Sequence, residues 1–273
     1  MLRHRAVAAT PVCVAHPFRP FAPYLMRPTC CTARLHTVAP IVRVAMKRIF
    51  IPTTNADDWR RFLAEPEKQW RTGFSARALA HCWEQANGFP AEITDVFSQS
   101  GPPPFRKIEL LLAFPEYQVP LPGGRRPSQS DLLVVAKDGD GELVVIAVEG
   151  KVAEPFGPTV AQWNSPGSTG RRERLGYLQQ LLGLSDELPN EIRYQLLHRT
   201  ASALIEACRF NARSAVMLVH SFSQDAPWFD DFQAFLGLFG VQSQPNQLQW
   251  LRDLQGIDLY AGWVKGNEEF LAA

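Results

Sequence analysis

The sequence predicts an α/β fold, a three-layer sandwich with a central mixed β-sheet flanked by helices. Three observations predict it. Leu143 to Val148 is apolar at every position, the pattern of a strand covered on both faces at the centre of a sheet. Helical and strand signals follow one another along the chain, as layered α/β packing requires. The 273 residues are 46% apolar and 20% charged, which suffices for a core and excludes a disordered chain.

The elements follow in order. Residues 57–88 read as helical, with Trp59, Phe62 and Leu63 on one face, Ser75 as an N-cap and Gly88 as the stop. A short helix over Pro104 to Phe114 carries Glu109. Pro115, Pro120, Pro122 and Gly123-Gly124 then bound an extended piece around Tyr117 and Val119. Leu132 to Ala136 is a strand, and Asp138-Gly139-Asp140-Gly141 is a tight turn into Leu143 to Val148. Glu154 to Gly170 is rich in Pro and Gly and reads as loop. Arg171 to Leu182 and Glu191 to Phe210 read as helices, and Ala215 to Val219 as a strand. Pro227 to Phe239 reads as a helix opened by Pro227. Its stripe of Trp228, Phe229, Phe232, Phe235 and Phe239 reads as core. Ile257 to Val264 closes the chain as a strand.

Charge divides the chain. Residues 1–45 hold six arginines, six prolines and no acid. Of the charged residues, 22 of 28 basic and all 27 acidic ones fall in 46–273, a formal −5. The expectation is a disordered, basic, Pro-rich extension over 1–45, with a mis-called start upstream of Met46, and one domain over 46–273. The prolines oppose the amphipathic helix of a transit peptide. No apolar run is long enough to cross a bilayer. Five cysteines without regular spacing point to a reducing compartment, hence a cytoplasmic location. Cys30, Cys31 and His36 lack zinc-finger spacing.

The hairpin gathers polar residues. Positions 131 and 149 are equidistant from its turn, so a regular antiparallel register sets Asp131 beside Glu149, with Cβ atoms roughly 5 Å apart. Lys151 lies two residues on, on the same face. Gly150 points the other way and leaves its carbonyl accessible. Two adjacent carboxylates repel unless something compensates. Two carboxylates, a carbonyl and waters suit Mg²⁺ or Mn²⁺. Lys151 then stands where a phosphate oxygen or a water could meet it, an arrangement suited to phosphodiester hydrolysis. The plainer alternative is an exposed ion pair at a strand end, worth little.

Asp131 followed by Glu149-Gly150-Lys151 after an apolar strand resembles the PD-(D/E)XK nuclease superfamily, the restriction-endonuclease-like fold. The order of elements over residues 104–223 can be laid onto that family's core. The resemblance implies that Asp131 and Glu149 are metal ligands, joined by the Gly150 carbonyl, and that Lys151 is the catalytic lysine. It assigns Glu109 the place of an additional acid, with Glu84 and Glu116 as competitors. Ser130 stands where the family often has proline. Gln195 and Arg199 have the spacing of the family's Gln and Tyr, with Arg replacing Tyr. They could orient the site or contact a phosphate. The segments Gln129–Leu133, Ala147–Gly157, Tyr194–Glu206 and Val216–Phe222 also resemble an uncharacterised bacterial family.

The expected function is therefore Mg²⁺-dependent hydrolysis of nucleic acid, with DNA the expected form. The alternative is a restriction-endonuclease-like module that binds or regulates without cutting. The acidic balance of 46–273 means that any phosphate contact is local. Arg125 and Arg126, just before Asp131, are the expected phosphate contacts. Arg171, Arg172 and Arg174 are either further contacts or solvated surface. Trp163 either stacks on a base or packs locally. No phosphate-binding Gly-rich loop, dinucleotide signature or nucleophile elbow is present. His220 and Ser221 are neighbours on a strand and face opposite sides. Cys82, Cys208 and His198 read as packing residues.

Overall fold

Alternation along the strands builds the layers. In the computed structural model, which describes residues 53–184 and 187–273, six strands form one sheet. They are β1 (Glu109–Val119), β2 (Ser128–Lys137), β3 (Leu143–Lys151), β4 (Ser214–Ser221), β5 (Gln247–Leu254) and β6 (Ile257–Lys265). Their order is β1-β2-β3-β4-β6-β5. The β3–β4 and β4–β6 pairs are parallel and the other three antiparallel, so the sheet is mixed. The expectations for residues 1–45 and for Met46 lie outside the described residues.

One sheet face carries Leu133, Val145, Ala147, Met217 and Val219. It packs on α5 (Thr169–Leu182), α6 (Tyr194–Phe210) and α7 (Phe229–Gly237). The other face carries Leu132, Val134, Ile146, Val148 and Leu218, under α2 (Ser75–Ala86) and α3 (Ala91–Ser100). The molecule is thus the predicted α/β sandwich. Val144 to Val148 of β3 is buried on both sides, which is why that run has no polar alternation. Phe232 and Phe235 lie in the core as expected.

The hairpin register is the one the sequence predicts. Pairs from Leu132↔Val148 to Lys137↔Leu143 are all equidistant from position 140. The pairing ends one position short of Asp131 and Glu149, where the Gly150 N–H bonds the Asp131 carboxylate instead.

Three elements differ from expectation. Residues 104–114 are not a helix: a 3₁₀ turn over Pro103–Lys107 leads directly into β1. The apolar run Leu110 to Phe114 fits either element by periodicity alone, and pairing with β2 decides it. The 57–88 segment is broken into a 3₁₀ turn (Ala56–Phe62), a short α1 (Pro66–Gln69) and α2. Gly73, at φ +82°, separates the last two. Ser75 is the first helical residue rather than the cap, and the stop is Asn87 in the left-handed region rather than Gly88. Finally, α3 and β5 fall in segments where the sequence predicts neither, and a single-turn α4 (Val160–Trp163) interrupts the predicted 154–170 loop.

Candidate active site

Four elements converge at the open end of the β2–β3 hairpin. β1 contributes Glu116, β2 Gln129 and Asp131, β3 Glu149 and Lys151, and α6 Gln195 and Arg199. They line one pocket of about 500 Å³ with Lys68, Gln69, Phe74 and Ser75 from the N-terminal segments.

Glu149 is the electrostatic hub. Its Oε1 accepts from Lys151 Nζ at 2.8 Å and Gln195 Nε2 at 2.7 Å, and its Oε2 from Arg199 Nε at 2.6 Å. Burial alone would raise this carboxyl. The Arg199 and Lys151 charges outweigh burial and hold its pKa at about 2. Lys151 also reaches Gln195 Oε1 at 3.4 Å and stands 5.0 Å from the Phe156 ring centre. Arg199 continues into a polar layer through Ser128, whose hydroxyl lies 2.8 Å from His198 Nδ1. Burial and the Arg199 charge push His198 well below its ordinary pKa, so the imidazole is neutral.

Asp131 and Glu116 are placed differently. Asp131 Oδ2 accepts from the Gly150 N–H at 2.8 Å, and Glu116 Oε2 from Gln129 Nε2 at 2.7 Å. Neither carboxylate is hydrogen-bonded to a cation among the described residues. Burial and the Glu149 charge raise Asp131 to about 7. Burial and Asp131 raise Glu116 well above the carboxylate range. Glu116 lies between the rungs Pro115↔Leu132 and Tyr117↔Ser130, which sets it across from Asp131. Its φ of +53° is a left-handed conformation inside a strand, costing on the order of 1–3 kcal/mol. Strained backbone and mutual repulsion are thus concentrated on one pair of acids.

Gly150 lets this happen. A Cβ there would sit 3.3 Å from Asp131 Oδ2, 3.4 Å from Leu79 and 3.5 Å from Ser75. The absent side chain brings the first turn of α2 down beside the acids. An extended residue turns its N–H and C=O to the same side, so the Gly150 carbonyl also faces the Asp131 side.

The raised Asp131 pKa has a measurable consequence. Its folded value of about 7 exceeds the ordinary 3.8. Ionisation therefore costs stability progressively between those pH values, and the full cost stands above them. Asp131→Asn is expected to stabilise the metal-free protein by about 1–4 kcal/mol at pH 8 and to change little at pH 4. Urea unfolding at the two pH values checks this, and an equal effect at both would refute it.

The other sequence-predicted residues lie elsewhere. Glu109 is on β1 opposite Lys137, at the far end of the hairpin, and pairs with that lysine at 3.7 Å. Of the acids considered for that place, Glu116 lines the pocket and Glu109 and Glu84 do not. Reading residues 104–114 as a helix favoured Glu109 over Glu116, which lies beyond that segment and in the structure belongs to the same strand. Arg125 and Arg126 are exposed and do not line the pocket. Arg174 is buried, and its guanidinium donates to the carbonyls of Leu121, Pro122, Gly124 and Arg126. It clamps the loop that feeds β2 rather than a phosphate. Gly123 of that loop, at φ +75°, lies against the Gly170 carbonyl where no Cβ fits. Arg171 and Arg172 hydrogen-bond to carbonyls of their own loop. Trp163 stacks on Tyr194 at 3.9 Å and 13°, with Arg171 5.6 Å from its ring centre. That ring is therefore committed to local packing.

A second cluster, Cys82, Glu92 and His220, brings its ligand-type atoms within 4.8 Å of one another. It reads as a packing network. Trp83 Nε1 donates to His220 Nδ1 at 3.2 Å, which leaves the proton on Nε2, 3.0 Å from Glu92 Oε1. A metal at Nε2 would have to displace that proton and break the Trp83 bond. Burial pushes the Cys82 thiol far up, so it stays protonated. Among the described residues, no helix is long and apolar enough to cross a membrane.

Comparison with known proteins places the whole of this architecture in one family. No curated protein and no solved structure matches the chain. A family model described as a domain of unknown function, DUF6946, matches residues 52–268 and so spans the sheet, both helical layers and the acid pocket. The chain belongs to that family.

Proposed function

We propose that the pocket is the site of a divalent-cation-dependent phosphodiesterase acting on nucleic acid, with a PD-(D/E)XK-like arrangement. One observation carries the reading. Asp131 and Glu116, both half-buried, face each other in one pocket, both raised, with no cationic side chain among the described residues hydrogen-bonded to either. That donor set suits a hard cation such as Mg²⁺ or Mn²⁺, which takes carboxylate oxygens and keeps much of its water. Asp131 and Glu116 would hold it, with Glu149 as the neighbouring acid. Bound there, the cation supplies Lewis-acid stabilisation of charge on the phosphoryl group.

The chain's own residues supply the rest. Gln195 bridges Glu149 and Lys151, so the ammonium is held at the pocket rather than left to wander. Lys151 can donate to a phosphate oxygen and stabilise the charge that develops as water attacks phosphorus and the P–O ester bond breaks. Arg199 keeps Glu149 ionised and in place. The low exposure of Glu149 and Lys151 limits water around them, which strengthens every charge interaction inside.

One observation favours a second reading, a module that binds nucleic acid without cutting. Both oxygens of Glu149 already accept from cationic side chains. Incubation with labelled single-stranded and duplex DNA, with Mg²⁺, Mn²⁺ or a chelator, separates the two. Chelator-sensitive cleavage supports the enzyme. Binding without cleavage under every metal condition supports the module.

A further inference from the structure

The two sides of the pocket differ. The acids and Lys151 form the floor at the end of the sheet. Leu63, Lys68, Gln69, Phe74 and Ser75 form a wall from the segments before and at the start of α2. Glu149 and Lys151 are 2% and 3% exposed, whereas Phe74 is 42% exposed. Phe74 thus lies at the solvent edge of the pocket and the reactive groups at its inner side. The volume of about 500 Å³ is that of a small-ligand pocket. In a duplex each phosphate is held on the outside of a stiff rod and cannot be drawn into such a space. A single strand bends freely and can.

Charge agrees with shape. Lys68, Lys151 and Arg199 are the basic residues lining the pocket, and the last two are engaged by Glu149. Few cations are left to grip a long duplex through its phosphates. What the mouth offers instead is an aromatic face. Phe74 lies beside Arg71, whose guanidinium carbon is 6.0 Å from the ring centre. An exposed ring with a flanking arginine is a stacking platform for an unpaired base of any sequence.

Resting on the nuclease reading above, we infer that the site takes single-stranded polynucleotide, with Phe74 stacking a base beside the phosphate that reaches the acids. Fluorescence anisotropy of the full chain in Ca²⁺ buffer, with a labelled oligodeoxynucleotide as single strand and as blunt duplex, tests it. The single strand is expected to bind at least about tenfold tighter. Phe74→Ala should weaken that binding about 5- to 100-fold with an unchanged unfolding curve, and Phe74→Trp should restore it. Equal affinity for duplex, no binding of either probe, or a Phe74→Ala effect within about twofold would overturn the inference. The same probes in Mg²⁺ keep the two readings apart. Single-strand binding that needs Phe74 but is never followed by cleavage sinks the nuclease and leaves this inference. Equal cleavage of both probes sinks this inference and leaves the nuclease.

Discussion

Glu149→Gln is expected to destabilise the protein by about 3–5 kcal/mol. The substitution keeps the shape of the side chain but removes its charge. Lys151 and Arg199, both buried, then face each other with no anion bonded between them. For a domain of this size the loss corresponds to a fall in Tm of about 6–20 °C. The sign of the pH dependence is fixed by the same geometry. The folded pKa of about 2 lies below the ordinary 4.5. The pair therefore contributes stability in full above about pH 4.5, and loses it as pH falls towards 2. Glu149→Gln should remove this part of the acid limb of the stability curve. Urea unfolding between pH 3 and 8 reads both effects. A loss under about 1 kcal/mol would mean that the cluster is far better solvated than its burial implies.

Lys151→Met is expected to lower cleavage by about 10²–10⁴-fold while leaving a folded protein. Methionine retains most of the apolar stem and loses the ammonium that stands 5.0 Å from the Phe156 ring centre. Glu149 keeps Arg199 and Gln195 as partners, so the fold loses one cation and not its anion. The loss should fall on kcat, because an ammonium that stabilises developing charge acts in the transition state and not on substrate binding. Single-turnover cleavage beside a binding titration checks the split. Activity within about threefold of wild type would show that Lys151 only balances charge.

The legible part of this molecule was the part written in local pattern. The all-apolar Leu143–Val148 run located the centre of the sheet. The Asp-Gly turn set the register, which runs to Leu132↔Val148 and so brings the adjoining Asp131 and Glu149 to the same end of the hairpin. Gln195 and Arg199 came from the resemblance to the nuclease superfamily's Gln and Tyr, and both reach Glu149. What escaped depends on contacts distant in sequence. Leu110 to Phe114 is as good a helix as a strand until β2 pairs with it. That ambiguity displaced the third acid from Glu116 to Glu109. The wall bearing Phe74 is built from short segments broken at Gly73, where periodicity suggested continuous helix. Arg174, left open between a phosphate contact and solvated surface, is neither, because its partners are four backbone carbonyls that leave no mark on a sequence.

The central claim is that Asp131 and Glu116 form a cation site. Calorimetric titration of Mg²⁺ into the metal-free chain at pH 8 tests it most directly, with Asp131→Asn and Glu116→Gln beside the wild type. The account predicts one ion per chain for wild type, binding lost in Asp131→Asn and weakened in Glu116→Gln. Absence of binding to the wild type, or an isotherm that Asp131→Asn leaves unchanged, would contradict it.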